Sequence, residues 1–317
     1  MKARLLLTVV LSCLLLWVGC SSSNSSTTKP ASAQKGRLFG VTFQTMNNPF
    51  FVELDKGLRE VVEARGDRLV TLDAQWNSLK QKNDISDLIH QGAAGIFINP
   101  VNWEGVTGSL LQARDRKIPC LVVDAPAKDM DLVLCTVASD NVEAGRLACR
   151  ALAKVKPNAK LAILHLSVNK ACIDRVAGFK EEMAKHPGMT LLDTQELKGG
   201  TTEAARPVMR DLLGRFKDLD AAFPINDPAA LGCVSALESA NKVGEVTIVT
   251  VDGSAEGVAA VKAGRVHSTS AQFPREIGRV AAQKAYDALE GKSVEKDIQI
   301  KVELITKENA DAFLKKE

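Results

Sequence analysis

Seven short segments of the chain place an amide or carboxylate side chain directly after an apolar run. They are Gln44-Thr45-Met46-Asn47-Asn48-Pro49-Phe50-Phe51, Asn99-Pro100, Asp124-Ala125-Pro126, Ser139-Asp140-Asn141, Asn226-Asp227-Pro228, Val251-Asp252-Gly253 and Gln272-Phe273-Pro274. Taken singly, each is turn chemistry, because Asn, Asp, Gly and Pro suit strand-to-helix loops and helix caps. Seven at one kind of position form a set suited to recognising hydroxyl groups. A hydroxyl both donates and accepts. Carboxylates accept, amides do both, and a guanidinium donates through a planar fork. Adjacent Phe50 and Phe51 offer flat carbon for the C–H face of a sugar ring, or else serve the core. The chemistry implied is carbohydrate recognition.

Such residues must be held by regular elements, and the hydrophobic pattern supplies them. Apolar runs recur at 38–43, 69–72, 95–98, 120–123 and 133–137, and again at 161–165, 189–192, 221–224, 246–251 and 266–271. Between most of them lie amphipathic stretches. Leu54, Leu58, Val61 and Val62 share one helical face, and further helices are predicted over 173–185, 202–216, 228–241 and 255–263. Strands alternating with helices imply parallel sheets covered on both faces. About ten strands are too many for one comfortable sheet, so two doubly wound sheets of about five strands each are expected. In such sheets ligands bind beyond the carboxyl ends of the strands, where all seven segments fall.

Composition narrows the function classes. The 317 residues are 45% hydrophobic and 25% charged, which fits globular domains and excludes a disordered chain. The formal charge of +3 carries no clustered basic excess of the kind phosphate neutralisation needs, so nucleic acid is not an expected partner. His90, His165, His186 and His267 are isolated, and no two cysteines form a CxxC pair, so no metal site is expected. Cys120, Cys135, Cys149, Cys172 and Cys233 read as small buried apolar residues, with their pairing left open. No GxGxxG follows the first strand, no phosphate loop is present, and Gly253-Ser254-Ala255-Glu256-Gly257 has its Ser one place early for a nucleophile elbow. Neither an enzyme nor a cofactor is expected.

The first residues set the compartment. Lys2 and Arg4 precede an apolar stretch to Val18, with the proportions of a signal peptide rather than a membrane span. Trp17-Val18-Gly19-Cys20 resembles a bacterial lipobox, in which Cys20 is lipidated and becomes the mature N-terminus. The Ser-rich stretch after Cys20 reads as a flexible tether. Loss of residues 1–19 leaves 39 basic against 38 acidic residues, a charge of +1.

The same segments carry a resemblance to the type I periplasmic sugar-binding proteins, and to the ribose-binding branch most closely. It runs from about Gly36 to the C-terminus. The quoted segments carry it together with Asp174-Arg175-Val176-Ala177-Gly178-Phe179 and Ala230-Leu231-Gly232. The resemblance implies two Rossmann-like α/β lobes joined by three crossovers. An N-terminal lobe would comprise 36–139 with about 273–300, and a C-terminal lobe 140–272 with about 301–317. By position, Asn48, Phe50, Phe51, Asn99 and Asp124 would line the first lobe. Arg175, Asn226 and Asp252 would line the second, with Gln272 at a crossover. The resemblance further implies a monomer that closes on a monosaccharide or polyol and presents its closed form to an ABC permease. A chemoreceptor or sensor kinase would read the same surface. A repressor of this fold would need a DNA-binding domain where the leader stands.

Three positions depart from the ribose-binding pattern. Ala125 stands in place of an Arg, and Lys198-Gly199-Gly200-Thr201 lacks an aromatic. Val251 stands where an aromatic usually precedes the later Asp. Each change removes bulk or a donor, implying a roomier, less polar pocket for a hexose, a modified pentose or a polyol. Trp103 is a candidate cover for the pocket mouth.

Overall fold

Residues 36–315 are described in a computed structural model. The leader, Cys20 and the tether lie outside the described residues. The first half of the chain runs β1 (Leu38–Phe43), α1 (Pro49–Glu63), β2 (Arg68–Asp73), α2 (Ser78–His90), β3 (Gly95–Ile98), α3 (Thr107–Asp115), β4 (Cys120–Val123) and β5 (Cys135–Ser139). The second half runs α4 (Asn141–Val155), β6 (Lys160–His165), α5 (Lys170–Met183), β7 (Thr190–Glu196), α6 (Thr202–Arg215), β8 (Ala221–Pro224), α7 (Asp227–Ser239), β9 (Thr247–Asp252), α8 (Ala255–Lys262) and β10 (Ser268–Ala271). The chain finishes with α9 (Pro274–Leu289), β11 (Asp297–Ile300), β12 (Glu303–Ile305) and α10 (Ala310–Leu314).

Two six-stranded sheets result, ordered β11-β5-β4-β3-β1-β2 and β12-β10-β9-β8-β6-β7. All ladders are parallel except β10 with β12. The central strands β1, β3 and β4 are buried along their whole length. Helices on both faces leave no solvent side, so these strands read as unbroken apolar runs rather than alternating ones. The two-lobe α/β architecture is therefore as the sequence implies, with two more strands than the apolar runs indicate. Those are β11 and β12. In β11, exposed Asp297 and Gln299 alternate with half-buried Ile298 and Ile300, so no apolar run marks it.

Sheet membership places the passages between lobes at 139–141, 271–274 and 300–303. The first and third passages touch, with Asp140 N–H donating to the Ile300 carbonyl at 3.0 Å.

Close helix packing fixes one functional side chain. At Gly145 on α4, an added Cβ would lie 1.9 Å from the Arg175 carbonyl; at Gly178 on α5, it would lie 1.9 Å from the Val142 carbonyl. Only two glycines let these helices approach so closely, and the contact seats the backbone of Arg175. No helix among the described residues is long and apolar enough to cross a membrane. The five cysteines among the described residues are free and buried.

Candidate functional site

The helices that follow the strands begin at the cleft, and their caps face it. Asn48 accepts from Phe50 N–H, Asn169 from Cys172 N–H and Asn226 from Ala229 N–H, at 3.0–3.1 Å. The turn-chemistry reading and the site reading thus describe the same residues. A helix needs a side-chain acceptor at its start, and here the starts surround a cavity of ≈450 Å³ at the carboxyl ends of both sheets.

Eight of the nine residues singled out from sequence line that cavity: Asn48, Phe50, Phe51, Asp124, Arg175, Asn226, Asp252 and Gln272. Asn99 does not. It is wholly buried behind the wall, where its amide holds three groups. Its Oδ1 accepts from Gln44 N–H at 3.1 Å, and its Nδ2 donates to Asp124 Oδ2 at 3.0 Å and the Val123 carbonyl at 3.3 Å. Its place is to aim Asp124, because a side chain bonded to three neighbours at the end of β3 cannot also turn outward.

The polar floor is assembled from three distant parts of the chain. Arg175 Nε donates to Asn141 Oδ1 at 2.8 Å, and its Nη1 to the Ile225 carbonyl at 2.8 Å and to Asp252 Oδ1 at 3.4 Å. Gln272 Nε2 donates to the same Asp252 Oδ1 at 2.8 Å. Three groups keep unused capacity: Arg175 Nη2, Asp124 Oδ1 and the buried Gln272 Oε1, which has no partner. Phe50 and Phe51 meet edge to face with centroids 5.3 Å apart. Phe51 also packs on Phe43, so it serves the core and the cavity at once.

Burial sets the electrostatics. It pushes the Asp124 carboxyl up to about 7, with Arg175 opposing, Asp252 adding, and the Asn99 hydrogen bond opposing. Asp252 is raised by burial, against Arg175. Behind the floor Asp227 is raised by burial and by Asp252, while it accepts from Ser254 and Thr269 hydroxyls at 2.8 Å. Asp124 and Asp252 thus share the field of one guanidinium away from water, with Asp227 against Asp252 behind them, a cost tolerated at sites rather than in ordinary cores. The backbone is strained there too. Six non-glycine residues among those described have left-handed φ, and four of them are Gln75, Trp76, Asp124 and Asp252.

The structure adds residues that the strand-end survey passed over. Trp76, Asn169, Cys172 and Thr201 line the cavity, and Asn169 Nδ2 donates to Gln44 Oε1 at 3.1 Å across the two lobes. Trp76 and Asn169 each follow a strand, β2 and β6, so the carboxyl-end rule marks both loops, and only Asn169 has an amide side chain of the kind surveyed. Trp103 does not line the cavity; its backbone N–H donates to the Val168 carbonyl at 3.1 Å, another contact between lobes. Ala125 and Val251 are buried and do not line it either. Among the three departures from the ribose-binding pattern, only the 198–201 loop borders the cavity, through Gly200 and Thr201.

Residues 39–293 match the periplasmic binding protein domain family. The ribose import binding protein of Bacillus subtilis is 32% identical over 303 residues, covering 92% of this chain and 95% of that protein. Its counterpart in Haemophilus influenzae is 34% identical over 302 residues, covering 95% and 99%. Among solved structures, the arabinose-transporter binding component of Shewanella sp. ANA-3, bound to L-arabinofuranose, superimposes with a TM-score of 0.83. It is 29% identical, covering 88% of this chain and 95% of that one. Two α/β lobes around a polar interlobe cavity, and these matches over nearly the whole length, lead to one conclusion: the chain belongs to the periplasmic binding protein family, as a solute-binding protein rather than an enzyme.

Proposed function

We propose that the protein is an exported lipoprotein, anchored through Cys20, that captures a monosaccharide or related polyol between its lobes and delivers it as a monomer to an ABC importer. The observation that carries this reading is the cavity's set of unused polar groups. Asp124 Oδ1 comes from one lobe, Arg175 Nη2 from the other and Gln272 Oε1 from a passage between them. A compound bearing several hydroxyls satisfies all three, whereas an apolar ligand leaves them buried and unpaired at ~1–3 kcal/mol each. Sugars are named for the relatives and structural neighbours, which supports that ligand class here.

Ligand that touches both lobes has greater affinity for the closed arrangement and shifts the population toward it. Asp124, Arg175, Asp252, Asn48, Asn226 and Gln272 supply the hydrogen bonds, and Phe50 and Phe51 an apolar wall. Asn99 acts through Asp124. The importer then recognises surface from both lobes that exists only when they are closed.

The test is a thermal-shift panel on the purified chain lacking residues 1–19, with D-ribose, L-arabinose, D-allose, D-tagatose, myo-inositol, xylitol and glycerol. A ligand that binds only the folded state raises Tm by mass action. At least one member is expected to do so, with its Kd then set by calorimetry. No shift with any of them would overturn the reading. Labelling of the intact chain by a palmitate analogue, and loss of the label in Cys20→Ser, tests the anchor.

A further inference from the structure

We infer that Trp76 is a specificity-determining residue: it supplies the aromatic wall that the second lobe's loop cannot, and so restricts the site to ring-form sugars and cyclitols over acyclic polyols. This rests on the reading of the cavity as a sugar site.

The loop 198–201 has no room for a ring of its own. The Gly200 carbonyl accepts from Asn226 Nδ2 at 2.9 Å, and a Cβ on Gly200 would sit 2.6 Å from that nitrogen. Gly199 beside it has φ of +99°, a backbone that side chains disfavour. The space in front of these glycines is met from the opposite lobe, because a Cβ on Gly199 would lie 3.9 Å from Trp76 Cε2.

Trp76 is placed there at a conformational cost. Gln75 and Trp76 are consecutive left-handed residues, with φ of 53° and 58°. That backbone is unfavourable for a bulky side chain and persists only where its surroundings enforce it. Three bonds do so here: Gln75 N–H to Asp73 Oδ1 at 2.9 Å, Trp76 N–H to the Gln44 carbonyl at 2.7 Å, and Asn77 N–H to the Ala74 carbonyl at 2.9 Å. The turn carries the indole out of its own lobe. Trp76 lines the cavity and packs against the core of the C-terminal lobe.

Phe50 and Phe51 meet edge to face, while Trp76 makes no ring–ring contact with either. The gap is bounded by Phe carbon, indole carbon and the Asp124, Arg175 and Asp252 polar groups. A flat wall rewards a rigid face of C–H bonds, which a closed ring presents and an open chain does not. Indole contact is made only with the lobes together, so the same ring senses both ligand and closure.

The experiment uses calorimetry on the chain lacking residues 1–19, wild type, Trp76→Phe and Trp76→Ala, with the panel above. Wild type is expected to bind at least one ring compound about tenfold or more tightly than xylitol. Trp76→Ala should lose most of that preference, and Trp76→Phe should retain it. In Trp103→Phe, Trp76 is the remaining tryptophan, and its emission should change on adding the ring ligand. Xylitol binding as tight as every ring compound, a preference unchanged in Trp76→Ala, or an emission that ligand does not move would each overturn the proposal while leaving the sugar site intact. A wild type that binds no panel member overturns the sugar site, and this proposal with it.

Discussion

Asn169 and Gln44 form a buried amide–amide hydrogen bond of 3.1 Å that joins the two lobes beside the cavity. Gln44 directly follows β1 in the first lobe and Asn169 caps α5 in the second, so the bond can exist only when the lobes are closed. It gives the closed state a contribution independent of ligand. Gln44→Ala removes the bond while leaving the Asn169 cap on Cys172 in place. A net hydrogen bond of about 1 kcal/mol corresponds to roughly fivefold weaker ligand binding. Calorimetry should show that loss, and small-angle scattering a larger radius of gyration for the ligand-free variant. An unchanged radius and affinity would remove the bond from the closure equilibrium.

On the proposed function, Asp124 and Asp252 should stabilise bound ligand and destabilise the empty fold. Asp124→Asn keeps an oxygen to accept from Asn99 yet deletes a buried charge. Ligand affinity should fall about tenfold to a hundredfold with the lost charge-assisted bond. The Tm of the ligand-free chain near pH 8 should instead rise, by roughly 5 °C. Asp252→Asn should weaken binding similarly. Its Tm should change less, because Arg175 then loses its buried partner. Differential scanning calorimetry with and without ligand separates the two effects.

The sign of the pH dependence follows from the direction of these shifts. The Asp124 carboxyl titrates near 7 in the folded chain, against 3.8 for an ordinary Asp. Between those values the folded state holds more protons than the unfolded one, so stability falls as pH rises through the window. The contribution is fully favourable below the lower value and lost above the upper one. Other carboxyls are lowered and act oppositely, Asp67 and Glu182 among them. The expected observable is therefore the stability of wild type minus that of Asp124→Asn, declining from pH 4 to pH 7.5. Ligand hydroxyls that donate to the ionised carboxylate favour it, so affinity should rise over the same range. A flat difference curve would show that Asp124 ionises normally.

Asn99 should behave as a positioning residue. Asn99→Ala leaves Gln44 N–H without its acceptor in a buried wall and frees Asp124. A stability loss of about 2–4 kcal/mol by urea titration is expected from the unsatisfied groups. The residual affinity of folded Asn99→Ala should exceed that of an Asp124→Ala variant, since the carboxylate is still present. Affinity equal to that of Asp124→Ala would place Asn99 on the ligand itself.

The buried thiols should be inert. Burial pushes the Cys120, Cys149, Cys172 and Cys233 thiols up to about 12 and Cys135 to about 11. Without thiolate there is no nucleophile at neutral pH. A disulfide reagent should titrate none of the five in the native chain lacking Cys20 and all five in guanidinium. Titration of Cys172 alone, suppressed by sugar, would instead show that it opens with the cleft.

Much of the architecture was legible in the residues because burial on both faces of a parallel sheet writes each strand as an apolar run, as in Gly95–Ile98 and Cys120–Val123. The strands β11 and β12 escaped the same reading. Both lie at sheet edges; in β11 exposed Asp297 and Gln299 break up the apolar residues, and β12 is only Glu303–Ile305, too short to show as a run. Eight of the nine residues singled out from the sequence line the cavity because helix starts coincide with strand ends, where the cavity also lies, and one set of polar side chains marks both. Asn99 met the same rule and stands behind the wall instead, since the rule gives an end of the sheet and not the direction of a side chain. Trp76 shows the converse. Its importance depends on Gly199 and Gly200, more than a hundred residues away and in the other lobe. Local periodicity and loop chemistry by themselves determined two α/β lobes and a polar cleft between them. Which carboxylate shares Arg175, which amides join the lobes and which ring faces the glycines were decided only by tertiary structure, because each is a contact between segments whose separation in sequence carries no information about their approach in space.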